Sequence, residues 1–320
     1  MIAPACTHSW KKNGIDRLGK PRLRCTICGK SITVVVSPKP LGPLRTDLAT
    51  AAKAVEMLCE GMSVRSTSRL TGLDKNTIVR IVVQVGRAVA EFSETTIKDM
   101  RVDEVECDEL WGFCYCKKTT QHSQDRGFKY GDIYTYLAID RNTKLILTYN
   151  FGKRYTETGA YFMQKLKACT AYIGQLSTDG WASFPGIVAL AWGNDINYGQ
   201  ITKIIAGGPA VNAATRYSPG RIRRITKRAV IGEPAMDRVS TSIAERANLS
   251  IRTCVRRMTR LTNGFSKKWE NHEAMMSLFF GVYNFCKVHS TLKTTPAVAA
   301  GLTDHVWTVR ELLEKTAETH

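Results

Sequence analysis

The chain contains no apolar run near the roughly 18 residues that a membrane-spanning helix needs, which argues against a membrane-embedded protein. Its opening, Met1-Ile2-Ala3-Pro4-Ala5-Cys6, lacks the apolar stretch of a secretory signal, so a cytoplasmic protein is expected. Acid is scarce: 28 Asp and Glu stand against 46 Lys and Arg, a formal charge of +18. That excess points to a polyanionic partner, nucleic acid ahead of a membrane surface. No internal repeat or low-complexity segment is present, which sets aside solenoids and disordered tails. Ten cysteines are scattered without the spacing of a disulfide framework, so they read as reduced thiols, some of them on metal. What remains, 43% hydrophobic and 23% charged residues over 320 positions, is a globular chain with room for a core and one or two small modules.

The first module is residues 1–37. Cys25-Thr26-Ile27-Cys28, followed by Gly29-Lys30, has the two-residue gap that lets both thiolates reach one tetrahedral zinc ion. Cys6 and His8 supply the other half of a ligand set, although a one-residue gap is tighter than usual and a finger held by packing alone would have the same composition. Gly14 to Lys20 carries phosphate-loop spacing, but Pro21 stands where a hydroxyl should hold magnesium, so nucleotide binding is rejected. Ser37 to Pro43, with three prolines, is a linker.

Residues 44–95 read as three helices: 47–60 closed by Gly61, a short one from Ser63 to about Leu70, and a third marked by Ile78, Val82, Val85 and Val89. With a Thr71–Asp74 turn between the second and third, this is an all-α helix-turn-helix domain. Lys75, Asn76, Thr77 and Arg80 fall at the end of the third helix that meets base edges in such motifs. A three-helix module for protein contacts is the plainer alternative.

From about residue 100 to 300 the pattern becomes α/β. Strands are expected over Val102–Asp108, Ile133–Ile139, Lys144–Tyr149, Ile173–Thr178 and Ile201–Ala206, with a helix from Thr156 to Ala171 that turns Phe162, Leu166 and Cys169 inward. Arg216 to Arg228, six Lys or Arg and no acid, reads as an irregular loop that grips phosphates, Arg221, Arg223 and Arg224 among them, or as a merely solvated one. Residues 301–320 are left as a tail.

Ser242 begins a helix whose Ala244, Ala247, Ile251, Val255 and Met258 form one apolar stripe, while Glu245, Arg252 and Arg256 share a polar face. Ser242-x-x-Glu245 is also a capping box, which needs no function. Asp108 and Asp179 each close a run that reads as a strand. Three carboxylates brought to one point repel unless divalent cations neutralise them, as a metal-dependent nuclease requires. Asp103, Glu104, Glu106 and Glu109 are rivals to Asp108 that composition cannot rank, and Trp111 and Trp181 read as core aromatics ahead of base-stacking platforms.

Asp108-Glu109-Leu110-Trp111-Gly112-Phe113, then Thr178-Asp179-Gly180-Trp181, then Glu245-Arg246-Ala247-Asn248-Leu249 with Arg252 resemble the catalytic region of the insertion-sequence-one family of DDE transposases. The resemblance runs on through Arg260 to Lys268 and Tyr283-Asn284-Phe285. It implies a ribonuclease-H-like mixed-sheet core preceded by the zinc module and the helix-turn-helix domain. It selects Asp108, with Asp179 and Glu245, as ligands of two Mg²⁺ or Mn²⁺ ions. It further implies a bacterial or archaeal, nucleoid-associated protein that binds terminal inverted repeats, cuts and joins DNA, and assembles as at least a dimer on it, with Arg252, Arg256 and the basic loop on phosphates. A DNA-binding regulator derived from such an enzyme, and a nuclease without transposition, share these features.

Overall fold

The computed structural model describes residues 6–17, 21–33, 40–117, 127, 129–206, 221–259 and 262–318, with backbone only for Ile205, Ala206 and Arg221. The first module is a three-stranded antiparallel sheet of β1 (Trp10–Ile15), β2 (Pro21–Cys25) and β3 (Ser31–Thr33). Its strands are almost wholly exposed, so an apolar core does not hold it. Residues 37–39 of the linker, and residues 18–20 of the rejected phosphate loop, lie outside the described residues.

Three helices follow: α1 (Leu48–Cys59), capped by Asp47; α2 (Val64–Thr71), capped by Ser63 and ended by Gly72; and α3 (Lys75–Thr96), capped by Asp74. Each N-cap side chain accepts a bond from a first-turn N–H, which is what Asp and Ser provide there. Ile78, Val82, Val85 and Val89 are fully buried, as their helical spacing requires. Their partner is α7 (Trp269–Phe285), almost every residue of which is buried. The two helices pack so closely that a Cβ on Gly86 would come 2.1 Å from the Ala274 carbonyl oxygen. The segment after 300 contains α9 (Val309–Glu318), whose Leu312 and Leu313 are fully buried. It is therefore a packed helix of the bundle, in place of the expected tail.

The six-stranded sheet has the order β6-β5-β4-β7-β8-β9. β4 (Met100–Cys114), β5 (Gly131–Asp140) and β6 (Ile146–Gly152) are antiparallel neighbours. After α4 (Thr156–Cys169), β7 (Thr170–Thr178) lies parallel to β4, and after α5 (Phe184–Trp192), β8 (Tyr198–Ala206) lies parallel to β7. Strand, strand, strand, helix, strand is the order expected of a ribonuclease-H-like core, and this mixed sheet is compatible with one. At the β6 edge, α7 Asn284 bonds both the N–H and the carbonyl of Ile146 at 3.0 Å, so the exposed ladder groups are paired.

Two expectations change. β4 runs on to Cys114 because it keeps β5 as a partner that far, whereas its pairing with β7 stops at Cys107↔Thr178. Asp108 therefore marks the end of one ladder and not of the strand. The basic stretch expected as a loop is β9 (Arg221–Ile231), antiparallel to β8; its part before 221 lies outside the described residues. Among the described residues no helix is long and apolar enough to cross a membrane.

Candidate active site

Where the β4–β7 ladder ends, the chain places acids on both sides of the gap. Asp108 points to the α6 (Ser242–Cys254) side, where its Oδ2 accepts 2.7 Å from Asn248 Nδ2 and its Oδ1 2.9 Å from the Glu109 N–H. Glu109, next on the strand, turns the other way, with Arg154 Nη2 3.4 Å from its Oε2. Asp179 follows the last residue of β7, and its Oδ1 accepts 3.0 Å from the Trp181 N–H. Gln200 of β8 clamps that turn through the Asp179 and Trp181 carbonyls, at 3.0 and 3.3 Å. Gly180 is obligatory in it, because a Cβ would meet Thr202 Oγ1 at 2.4 Å.

The carboxylates of Asp108, Glu109 and Asp179 lie within 4.8 Å of one another and could hold a divalent metal ion. Glu245 lines the same cavity of about 470 Å³, with Asp108, Asp179, Arg154, Trp181 and Lys203, but stands outside that triplet. The third acid of the cluster is thus Glu109, which the sequence offered only as a rival. Its signal was adjacency to Asp108; strand alternation, which puts neighbours on opposite faces, hid that both reach Asp179 past the end of β7.

Burial, then repulsion from Asp179, pushes Asp108 up to about 7 and Glu109 up to about 8; Asp179 is also raised by burial. Basic side chains balance part of this charge: Lys203 pairs with Glu245, and Arg154 lies 3.8 Å from Asp179 while stacking 5.3 Å from the Trp181 ring centre. The fit to a hard cation is direct. All donors are oxygens, and Glu109 Oε1 is buried with no hydrogen-bond partner among the described residues, which leaves an acceptor for a ligand to satisfy.

α6 is positioned from below by Glu106, which the sequence offered only as a rival to Asp108. Ser242 and Glu245 form no capping box: the N-cap residue, Thr241, makes no side-chain cap bond, and Glu245 Oε1 instead accepts 2.9 Å from the Thr241 hydroxyl. The helix start is satisfied by buried Glu106, whose Oε2 accepts from the Ile243 and Ala244 N–H groups at 2.7 and 3.0 Å. Ala244, Ala247 and Ile251 are buried and fix which face of α6 Glu245 presents; the expected helix stops at Cys254, and Val255 and Met258, although also buried, lie past its end, in an extended residue and a short 3₁₀ turn. Arg252 is not a free surface cation; it donates to the Trp111 and Met258 carbonyls at 3.0 and 3.3 Å and ties α6 to β4. Arg256, Arg223 and Arg224 are exposed; the side chain of Arg221 lies outside the described residues.

In the first module, Cys6, His8, Cys25 and Cys28 bring their ligand atoms within 4.8 Å of one another and could bind zinc. Cys28 Sγ is 3.3 Å from His8 Nδ1 and Cys6 Sγ 3.9 Å from Cys25 Sγ. Although desolvation works against it, the Cys28 N–H, His8 and the Ile27 N–H hold Cys25 down at about 5, the thiolate a metal needs. On α3, Lys75, Asn76 and Arg80 are exposed and Thr77 half-buried.

No protein-family model matches the chain, and no curated protein matches it. Among solved structures it is similar to a piggyBac transposase synaptic complex with hairpin DNA, determined by cryo-electron microscopy, over 84% of this chain and 69% of that one. The identity is 11% and the TM-score 0.38, a likeness too distant to assign a function.

Proposed function

We propose that the chain is a DNA transposase that binds the terminal inverted repeats of a mobile element and carries out metal-dependent strand cleavage and strand transfer. The observation that carries this reading is the convergence of Asp108, Glu109 and Asp179, with Glu245 in the same cavity, inside a strongly basic chain. The sequence resemblance to insertion-sequence-one transposases supports it independently.

Asp108, Asp179 and Glu245 are the catalytic carboxylates in this reading, and Glu109 joins them as a ligand. Mg²⁺ or Mn²⁺, as a pair of ions, supplies activation of the attacking hydroxyl and neutralisation of the leaving oxygen when bound. Asn248 and the Glu109 N–H orient Asp108, and the Gln200 clamp orients Asp179. Lys203 and Arg154, which balance the acids in the free protein, are placed to take over the phosphodiester. Exposed Arg223, Arg224 and Arg256, with Arg221, hold backbone phosphates along the β8–β9 ribbon and beyond α6.

The zinc module and the α2–turn–α3 unit, a helix-turn-helix in this reading, recognise the repeat; Lys75, Asn76, Thr77 and Arg80 meet base edges. Two ends must be cut and joined together, so the working form is at least a dimer on DNA. The test is Asp179→Asn: DNA binding persists at wild-type strength and strand cleavage is lost. Cleavage retained in that variant refutes the assignment.

A further inference from the structure

Beyond Cys107, β4 parts from β7; on that side Arg252 bonds the Trp111 carbonyl and Cys114 makes an isolated parallel bridge with Ser266, and the edge borders a second cavity of about 390 Å³. Three aromatic rings line it. Trp111 and Phe113 have ring centres 5.9 Å apart, and Phe113 and Phe265 4.9 Å apart, with Lys117 Nζ 5.9 Å from the centre of the Phe113 ring. Trp111, expected as a core aromatic, is thus only half-buried and lines an opening. Arg252, Arg257 and the exposed Asn263 complete the wall, and no carboxylate belongs to it among the described residues.

Arg257 is the unusual member. It is withdrawn from solvent far enough that burial pulls its pKa below the usual guanidinium value. Among the described residues it makes no hydrogen bond or ion pair, and the one group favouring its charge is Cys114, a thiol that burial holds up at about 11 and hence uncharged. Its neighbour His272 is kept neutral, down at about 3, by burial and then by Arg257 itself. A half-buried guanidinium with no counter-ion among the described residues is placed to receive an anion. Stacking faces beside such a group fit a nucleotide, because every base has a π-face and every nucleotide a phosphate.

We propose that this cavity receives one unpaired nucleotide of the DNA strand being processed, its base against Trp111, Phe113 and Phe265 and its phosphate on Arg257. Trp111 lies three residues beyond Asp108 on the same strand, about 10 Å by strand rise. The nucleotide is therefore a near neighbour of the reacting phosphodiester. The Asn263 amide at the mouth is available to a base edge. This inference rests on the reading that the chain acts on DNA and adds to it a site for an extrahelical base, so the duplex end must open locally before or during reaction.

The test is anisotropy of labelled single-stranded oligothymidylate and of a fully paired duplex with the full-length chain, without divalent ion. Trp111→Ala and Arg257→Gln should each weaken single-strand binding roughly tenfold, within the range of one stacked base or one phosphate contact, and leave duplex binding unchanged. Trp111→Phe should restore binding. The Trp111 substitutions keep the carbonyl that holds Arg252, so they carry the test if Arg257→Gln does not fold. Equal loss on both DNAs, or no loss on the single strand, overturns the proposal. Competition by thymidine monophosphate as strong as by the oligonucleotide reassigns the cavity to free nucleotides and also overturns it. Binding is read without cleavage, so a failed joining reaction leaves this test standing.

Discussion

Glu109 offers the sharpest electrostatic prediction. Its carboxyl ordinarily titrates near 4.5; in the fold, burial and the repulsion of Asp179 carry it to about 8. A raised carboxyl binds its proton more tightly folded than unfolded, so its contribution to stability is lost progressively as pH rises from the unfolded value through the folded one. Between pH 6.5 and 8 the unfolded chain has already lost this proton while the folded chain is still losing it. At 1.36 kcal/mol per pH unit, that interval costs about 2 kcal/mol, or a few degrees in thermal midpoint. Buried His272, held neutral in the fold, opposes the trend only below its ordinary 6.5, outside this window. Thermal unfolding should therefore show the midpoint falling from pH 6.5 to 8 in the absence of divalent ions. Asp108, raised to about 7, adds a smaller fall in the same window, so Glu109→Gln should reduce the slope to that remainder, and Mg²⁺ or Mn²⁺ should abolish the fall by neutralising the ionised cluster. The same slope in Glu109→Gln, or a fall indifferent to metal, refutes the electrostatic account of the site.

Two further outcomes follow from single contacts. Metal analysis should find about one zinc per chain, absent in Cys25→Ser; zinc-free wild-type protein would remove the reading of the first module. Glu106→Ala should destabilise the chain by about 2–4 kcal/mol in denaturant unfolding, because two N–H groups at the start of α6 lose a charged acceptor. A change below about 0.5 kcal/mol would mean that water replaces the carboxylate freely.

Much of the frame was legible where one face is apolar and the other wet. The spacing on α3, and the stripe on α6 as far as Ile251, gave both helices and their buried sides; the stripe's last two residues lie past the end of α6. β9 escaped because it is an edge strand exposed on both faces over most of its length, with Ile222 and Ile225 about half exposed among its arginines; backbone pairing with β8 and side-chain bonds from Lys227 and Arg228 hold it, and sequence does not display these. α5 escaped because Phe184-Pro185-Gly186 reads as a turn and the rest is apolar all round, with Leu190 left 73% exposed. At the site, residue types were readable and rank was not. Asp108, Glu109 and Asp179 converge because one ladder stops before another. The same gap opens the aromatic cavity around Trp111. Arg252 shows the converse: a cation on a polar face, expected on phosphate, is committed to two backbone carbonyls that no periodicity reveals.

The most direct measurement is joining of labelled, pre-cut DNA ends, taken from the sequence flanking this reading frame, into a plasmid with Mg²⁺ or Mn²⁺, wild type against Glu245→Gln. The account predicts joined product from wild type alone, with both proteins binding the ends equally. Specific binding by both proteins without joining by either would contradict it, and would make the chain a DNA-binding regulator in place of an enzyme.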